Sequence, residues 1–290
     1  MIRRHVPAGV SIEPPYTPLD EDGGVAFAED AAVRLRAWLP ADGAASRDAV
    51  RSLRRELRSL GDDIVRPLRA RKVDDASWAE AWKRHFLVLR VGRRLVIRPS
   101  WRRYRPRRDD IVIQLDPGMA FGTGHHETTR LSLAALEERL VPKAQVLDVG
   151  CGSGILAIAA ALLGAKRVDA LDLDPAAVRA TQENSAVNAV ERKVRAAYGS
   201  LGAAWPFRQR PVHRYDLVLA NISSRVIKDL APHIVNALRP DGIAILSGLV
   251  EAGEPGCRRA LRKAGGRVVE SRGEGDWRLL VCARRDEGQA

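Results

Sequence analysis

One heptapeptide constrains this chain more than any other feature: Asp148-Val149-Gly150-Cys151-Gly152-Ser153-Gly154. It ends an apolar run from Gln145 to Gly150 that reads as a buried strand. It precedes Ile155 to Leu163, an apolar stretch long enough for a helix. Glycines at alternate positions permit a tight turn and let a ligand lie against the backbone. The helix start behind them offers free N–H groups. A strand, a glycine turn and a helix in this order belong to a parallel sheet covered by helices on both faces. The rest of the C-terminal half continues the alternation. Strands are expected at Arg167 to Leu173, Val194 to Ala197, Tyr215 to Ala220, Gly242 to Ser247, Arg267 to Glu270 and Trp277 to Ala283. Helices are expected from Pro175 to Asn188, Ser224 to Leu238 and Pro255 to Lys263. Ligands in such sheets bind beyond the carboxyl ends of the strands.

The turn has G-x-G-x-G spacing rather than the G-x-G-x-x-G of dinucleotide enzymes. Asp148 sits two positions before its first glycine. A carboxylate there attracts an amino-acid ammonium and repels a pyrophosphate. The second strand ends in Asp172, 20 residues beyond Gly152, where an acidic side chain grips ribose hydroxyls. Asp174, just before Pro175, reads as a helix cap instead. The turn, with Gly150 and Gly152, and Asp172 together imply a nucleoside carrying an amino-acid tail, which is S-adenosylmethionine.

Asn221, in Ala220-Asn221-Ile222-Ser223-Ser224, ends the fourth strand, where the reacting methyl group would face. Its amide oxygen can accept an N–H bond from an incoming amine. No Pro-Pro-aromatic follows it, so there is no lid for a flat base, and an alkyl amine fits better. The competing reading makes Asn221 only a cap for the next helix. Leu115 to Arg130, LDPGMAFGTGHHETTR, is too glycine-rich for an element interior and ends in a capping pattern before a helix from about Thr128. It reads as a loop folding over the cofactor, with Phe121 and Gly122 assigned to cofactor binding. His125 and His126 are adjacent and lack metal-ligand spacing, so no metal is expected.

Upstream, the 290 residues allow a second, smaller domain. Residues 1–71 read as a small α+β unit: strands at Val10 to Ile12, Ala32 to Leu39 and Ile64 to Arg69, a turn-rich run at Pro14 to Pro18, and a helix from Ser46 to Leu60. Residues 72–110 read as a linker, with a short helix carrying Trp78, Trp82 and Phe86 and one or two strands at Leu87 to Pro99. Arginines crowd it from Arg93 to Arg108. Trp78 and Trp82, at helical spacing, read as packing; Trp101 is open to a substrate role. Residues 111–290 read as the catalytic domain. The net charge of +12 allows an acidic partner such as RNA, but no aromatic ladder accompanies it. Three scattered cysteines argue against a disulfide framework. No apolar run suits a membrane span or a signal peptide. A cytoplasmic monomer is expected.

These motifs together resemble one family, the bacterial PrmA-type methyltransferases of large-subunit ribosomal protein eleven. The carriers are Asp116 to Arg130, LDVGCGSGILAIAA at Leu147 to Ala160, LDLDP at Leu171 to Pro175, and LANI at Leu219 to Ile222. The likeness extends upstream through SWAEAWKRHF at Ser77 to Phe86 and VGRRLVIRPSW at Val91 to Trp101. The resemblance implies a doubly wound, Rossmann-like seven-stranded sheet behind a ferredoxin-like substrate domain. It places Thr129, Gly150, Asp172 and Asn221 at the cofactor. It implies transfer of methyl groups to lysine side chains and the N-terminal amine. Separately, the arginines of the basic linker allow incidental RNA contact. The family's small domain runs β-α-β-β-α-β, whereas Val10 to Arg69 offers only β-β-α-β. The expectation is a missing first strand and helix, from a start codon set too far downstream or a degenerate domain. Rival readings are a methyltransferase of an RNA base or small amine, a decayed ribosome-binding module, and a nicotinamide dehydrogenase.

Overall fold

The computed structural model describes residues 87–116, 124, 126–202 and 204–285, plus the strands and helix named below before residue 59. The chain divides into two units, Met1–His85 and Phe86–Ala290. In the first lie β1 (Val10–Glu13), β2 (Tyr16–Pro18), β3 (Val25–Phe27), β4 (Arg34–Ala37) and α1 (Ala44–Arg58). β1 pairs antiparallel with β4, and β2 with β3. The run read as a turn at Pro14 to Pro18 thus contains a strand. It is three residues long, too short to show alternation, and Pro18 stands at its end, where a strand tolerates the missing N–H. The expected strand at Ile64 to Arg69 and the helix carrying Trp78, Trp82 and Phe86 lie outside the described residues.

The second unit begins with β5 (Leu89–Val91), β6 (Leu95–Arg98) and β7 (Ile111–Gln114). β5 and β6 form a hairpin, and β7 adds parallel to β6. Residues 87–98, assigned from the sequence to a linker, are therefore part of a packed sheet. Leu95, Val96 and Ile97 are buried, and Leu95 and Ile97 join one core with Ile113, Leu133 and Leu136. The strands expected at Leu87 to Pro99 are β5 and β6. The next helix, α2 (Glu127–Arg139), holds the hairpin's tip: the Glu137 carboxylate accepts the backbone N–H groups of Arg93 and Arg94 at 2.6 and 2.8 Å.

The main sheet follows as β8 (Gln145–Val149), α3 (Ile155–Leu162), β9 (Arg167–Asp172), α4 (Pro175–Val187), β10 (Val194–Tyr198), β11 (Tyr215–Asn221), α5 (Ser224–Ala237), β12 (Leu238–Val250), α6 (Glu254–Lys263), β13 (Gly266–Glu274) and β14 (Trp277–Arg284). Its seven strands run in the order β10-β9-β8-β11-β12-β14-β13. Pairing is parallel from β10 through β12, and β14 runs against both its neighbours.

Both faces of the central strands are buried, as continuous apolar runs require. Along β11, Leu217 and Leu219 join the core beneath α2 and α3, while Val218 and Ala220 join the one beneath α5 and α6. The chain winds one way from β8 and the other way from β11. The crevice beyond these two strand ends is where such sheets take ligands.

Candidate functional site

The glycine turn closes onto the neighbouring strand. The N–H groups of Gly150 and Cys151 both donate to the Leu171 carbonyl, at 2.8 and 2.9 Å. Gly150, Gly152 and Gly154 all have positive φ, at 76°, 55° and 82°, which L side chains rarely adopt. α4 braces the turn from outside: Thr181 Oγ1 donates to the Gly152 carbonyl at 3.0 Å, and Asn184 Nδ2 to that of Ser153 at 2.8 Å. Ile222 lies against Gly150, so that a Cβ built there would overlap Ile222 Cγ2. Left-handed strain and overpacking together put the cost of Gly150→Ala at about 2–4 kcal/mol. Denaturant unfolding checks this. In the double variant Gly150→Ala/Ile222→Ala the loss should be less than the sum of the singles. Strict additivity would mean that the two residues do not meet.

Asp148 lies in β8 and is 1% exposed. Its Oδ2 accepts the Ala157 N–H at 3.1 Å. Burial pushes its carboxyl up to about 7, opposed by the Ala157 N–H and assisted by the nearby charge of Asp172. Asp172, at the end of β9, accepts the Gly152 N–H at 2.9 Å on Oδ2 and the Asp174 N–H at 2.9 Å on Oδ1. It ties the turn to the start of α4. Each carboxylate oxygen keeps a further lone pair. Asp174 caps α4, accepting the Ala176 N–H at 2.8 Å with Pro175 in the first turn. Leu173, between the two carboxylates, is 61% exposed, an apolar surface at the same strand end.

Asn221 is the last residue of β11, and the cap of α5 is Ser223. Asn221 is not the helix cap. Its Nδ2 donates to Thr129 Oγ1 at 3.3 Å, and Thr129 is fully buried near the start of α2. Whichever way the amide is turned, one polar atom meets Thr129 and the other has no protein partner. Among the described residues, two of the buried acceptors without a hydrogen bond are Asn221 Oδ1 and Asp148 Oδ1. They stand on adjacent strands, since β8 pairs with β11. A buried unpaired acceptor costs about 1–3 kcal/mol. Both therefore call for a donor from a ligand, and an ammonium and an amine supply one each.

α2 starts at a crowded corner. His126 caps it, with Nδ1 accepting the Thr128 N–H at 3.3 Å. Its ring meets Trp277 edge-on, 4.8 Å between centroids. The structure thus brings together Asp148, Gly150, Gly152, Asp172, Asn221 and Thr129 around the ends of β8, β9 and β11. Phe121, Gly122 and His125 fall outside the described residues. Leu173, Ile222 and Trp277 did not emerge from the sequence as site neighbours. The one available signal was Leu173, an apolar residue between two acidic ones. Among the described residues no cluster of potential ligands could hold a metal ion.

A dinucleotide fold would extend its parallel order with a sixth parallel strand. Here β14 is inserted antiparallel beside β12, and an acidic residue precedes the glycine turn. Fold and site together define an S-adenosylmethionine-dependent methyltransferase. The family profile described as ribosomal protein L11 methyltransferase (PrmA) matches residues 17–285. The ribosomal protein L11 methyltransferase of Chloroflexus aurantiacus is 40% identical over 299 residues, spanning 95% of this chain and 90% of that protein. That of Pelotomaculum thermopropionicum is 44% identical over 255 residues, spanning 87% and 80%. The crystal structure of ribosomal protein L11 methylase from Lactobacillus delbrueckii subsp. bulgaricus superposes with a TM-score of 0.63 at 36% identity, covering 69% of this chain and all of that one. The chain belongs to the ribosomal protein L11 methyltransferase family.

Proposed function

We propose that this chain methylates lysine side-chain and N-terminal amines of ribosomal protein L11. The observation that carries the reading is the buried, unpaired amide oxygen of Asn221 beside the unpaired oxygen of Asp148. S-adenosylmethionine, when bound, supplies an electrophilic methyl group on a sulfonium. Asp148 Oδ1 receives the ammonium of its amino-acid tail. Asp172 takes ribose hydroxyls on its remaining lone pairs, with Leu173 beside the base. The glycine turn allows close backbone approach, and Phe121 and Gly122 are read as cofactor contacts.

Asn221 accepts an N–H of the incoming neutral amine, and Thr129 holds the amide in place. This orients the nitrogen lone pair for an in-line attack, and the main contribution is positioning. A lysine of ordinary pKa near 10.4 must lose its proton first. His126 already commits Nδ1 to the helix cap, so the proton is assigned to solvent. Ser224 stands where nucleobase enzymes of this type place an aromatic lid, and Ile222 is packed against Gly150 and Gly248. That disfavours a flat RNA base as the substrate.

The first unit is read as the substrate-recognition part, and the enzyme as a cytoplasmic monomer. No helix among the described residues is long and apolar enough to cross a membrane. The test is direct. Purified protein, methyl-labelled S-adenosylmethionine and total ribosomal components are incubated and then separated. Label should enter L11, on lysine and N-terminal nitrogens. Label confined to RNA, or to other proteins, would overturn the assignment.

A further inference from the structure

The connection between β6 and β7 is unusual in composition and in build. Parallel neighbours need a crossover, which is most often helical. Residues 99–110 contain no helix or strand and read Pro-Ser-Trp-Arg-Arg-Tyr-Arg-Pro-Arg-Arg-Asp-Asp. Their conformation is nevertheless fixed from within. The Asp110 side chain is 3% exposed and pairs with Arg90 at 2.7 Å. It also accepts the Tyr104 hydroxyl and, at 2.8 Å, the Arg107 N–H. Arg90 reaches the Tyr104 hydroxyl as well, at 3.0 Å. These partners, Tyr104 foremost, hold the Asp110 carboxyl down to about 2, so the clasp stays ionised across the ordinary pH range.

The clasp consumes the one buried carboxylate of the loop. Arg103, Arg105, Arg107 and Arg108 are left exposed, with no side-chain hydrogen bond or ion pair among the described residues. Many arginines elsewhere in this unit do find carboxylates: Arg130 with Glu274, Arg139 with Glu270, Arg272 with Glu138, Arg278 with Glu251 and Arg239 with Asp216. A uniformly arginine-rich surface does not explain four unpaired guanidinium groups within six residues. The other exposed positions of the loop are Ser100, Pro106 and Asp109, and its large apolar side chain, Trp101, is half-buried with a partner of its own, so the loop offers no exposed apolar centre of the kind a protein interface needs. Guanidinium forks match phosphate oxygens, and backbone phosphates can be bound with cations alone. The one aromatic held between them, Tyr104, is tied by its hydroxyl and is not free to stack on a base.

The geometry points to the loop of residues 99–110 as a preorganised RNA-backbone contact, in which Arg103, Arg105, Arg107 and Arg108 engage phosphates without reading sequence. It goes beyond the methyl-transfer reading and does not depend on it, because binding is measured with no substrate protein present.

The probe is a fluorescein-labelled RNA hairpin of arbitrary sequence, followed by anisotropy with the full chain over a range of potassium chloride concentrations. The variant R103Q/R105Q/R107Q/R108Q should bind at least about tenfold more weakly at low salt. Its slope of log K against log salt should flatten by roughly 3 to 4, about 0.7–0.9 for each of the four phosphates no longer neutralised. The control R192Q/R208Q/R210Q/R262Q removes equal charge elsewhere and should leave the slope unchanged. Asp110→Asn raises the net charge by one, so unspecific attraction would tighten binding, whereas loss of the clasp should weaken it several-fold. Tyr104→Phe should weaken it without any change of charge. Equal losses in the two fourfold variants, tighter binding by Asp110→Asn, or displacement of the RNA by polyglutamate at equal charge concentration would each overturn the proposal.

Discussion

Asn221→Ala should lower the rate of methyl transfer about a hundredfold while leaving the affinity for S-adenosylmethionine within about threefold of its original value. The split follows from where the amide's atoms go. One end is held by Thr129, and the other end has no protein partner. An acceptor that meets only the incoming amine contributes to the attack and little to the binding of the methyl donor. Its removal therefore falls on kcat, as loss of an interaction made in the transition state does. Asn221→Asp tests the same idea from the other side. A carboxylate keeps an acceptor at the amine, and the Thr129 hydroxyl can turn to donate to it. That variant should retain activity within about tenfold of the original. Single-turnover transfer and equilibrium binding, measured on the same preparations, decide the matter. Equal loss of binding and transfer would make Asn221 a cofactor contact and leave the amine without an assigned acceptor.

What is legible in the sequence is whatever depends on short-range rules. The glycine turn announces a strand before it and a helix after it, and both are present. Asp174 before Pro175 announces a cap, and it caps α4 through the Ala176 N–H. Asn221 is ambiguous in the sequence because asparagine both caps helices and presents an amide at a strand end. Only the position of Ser223 as the cap resolves it. The hairpin of β5 and β6 reads as part of a linker for a different reason. Its buried face rests on Glu137 and the leucines of α2, some forty residues downstream, and nothing local reveals that partnership. β7 escapes the sequence as well, because its four residues depend on parallel pairing with β6. The unpaired oxygens of Asp148 and Asn221 are beyond the sequence altogether. Residue type shows that a group can accept a hydrogen bond, but only packing shows that nothing in the protein donates one.

Asp148 should make cofactor binding depend on pH in a direction opposite to the stability of the cofactor-free protein. In the folded chain its carboxyl sits at about 7, chiefly through burial, against 3.8 for the free side chain. Between roughly pH 4 and 7 the folded state therefore holds a proton that the unfolded state has lost. Raising the pH through that window destabilises the cofactor-free fold, by up to about 4 kcal/mol in total. An ammonium at Oδ1 reverses the preference, because it stabilises the ionised carboxylate. Affinity for S-adenosylmethionine should thus rise as pH climbs toward 7, by up to about tenfold per unit, and then level off. At pH 6, calorimetry in buffers of differing ionisation enthalpy should find close to one proton released per cofactor bound, and at pH 8 none from this group. Asp148→Asn cannot titrate. It should abolish the pH dependence, weaken binding at pH 8 by about 10- to 100-fold, and raise the melting temperature of the cofactor-free protein at that pH. Weaker binding joined to a higher melting temperature is a signature that general damage to the fold would not produce. Proton release of zero at pH 6 with undiminished affinity would mean that the cofactor's ammonium rests elsewhere. The unpaired oxygen of Asp148 would then have to meet a different donor.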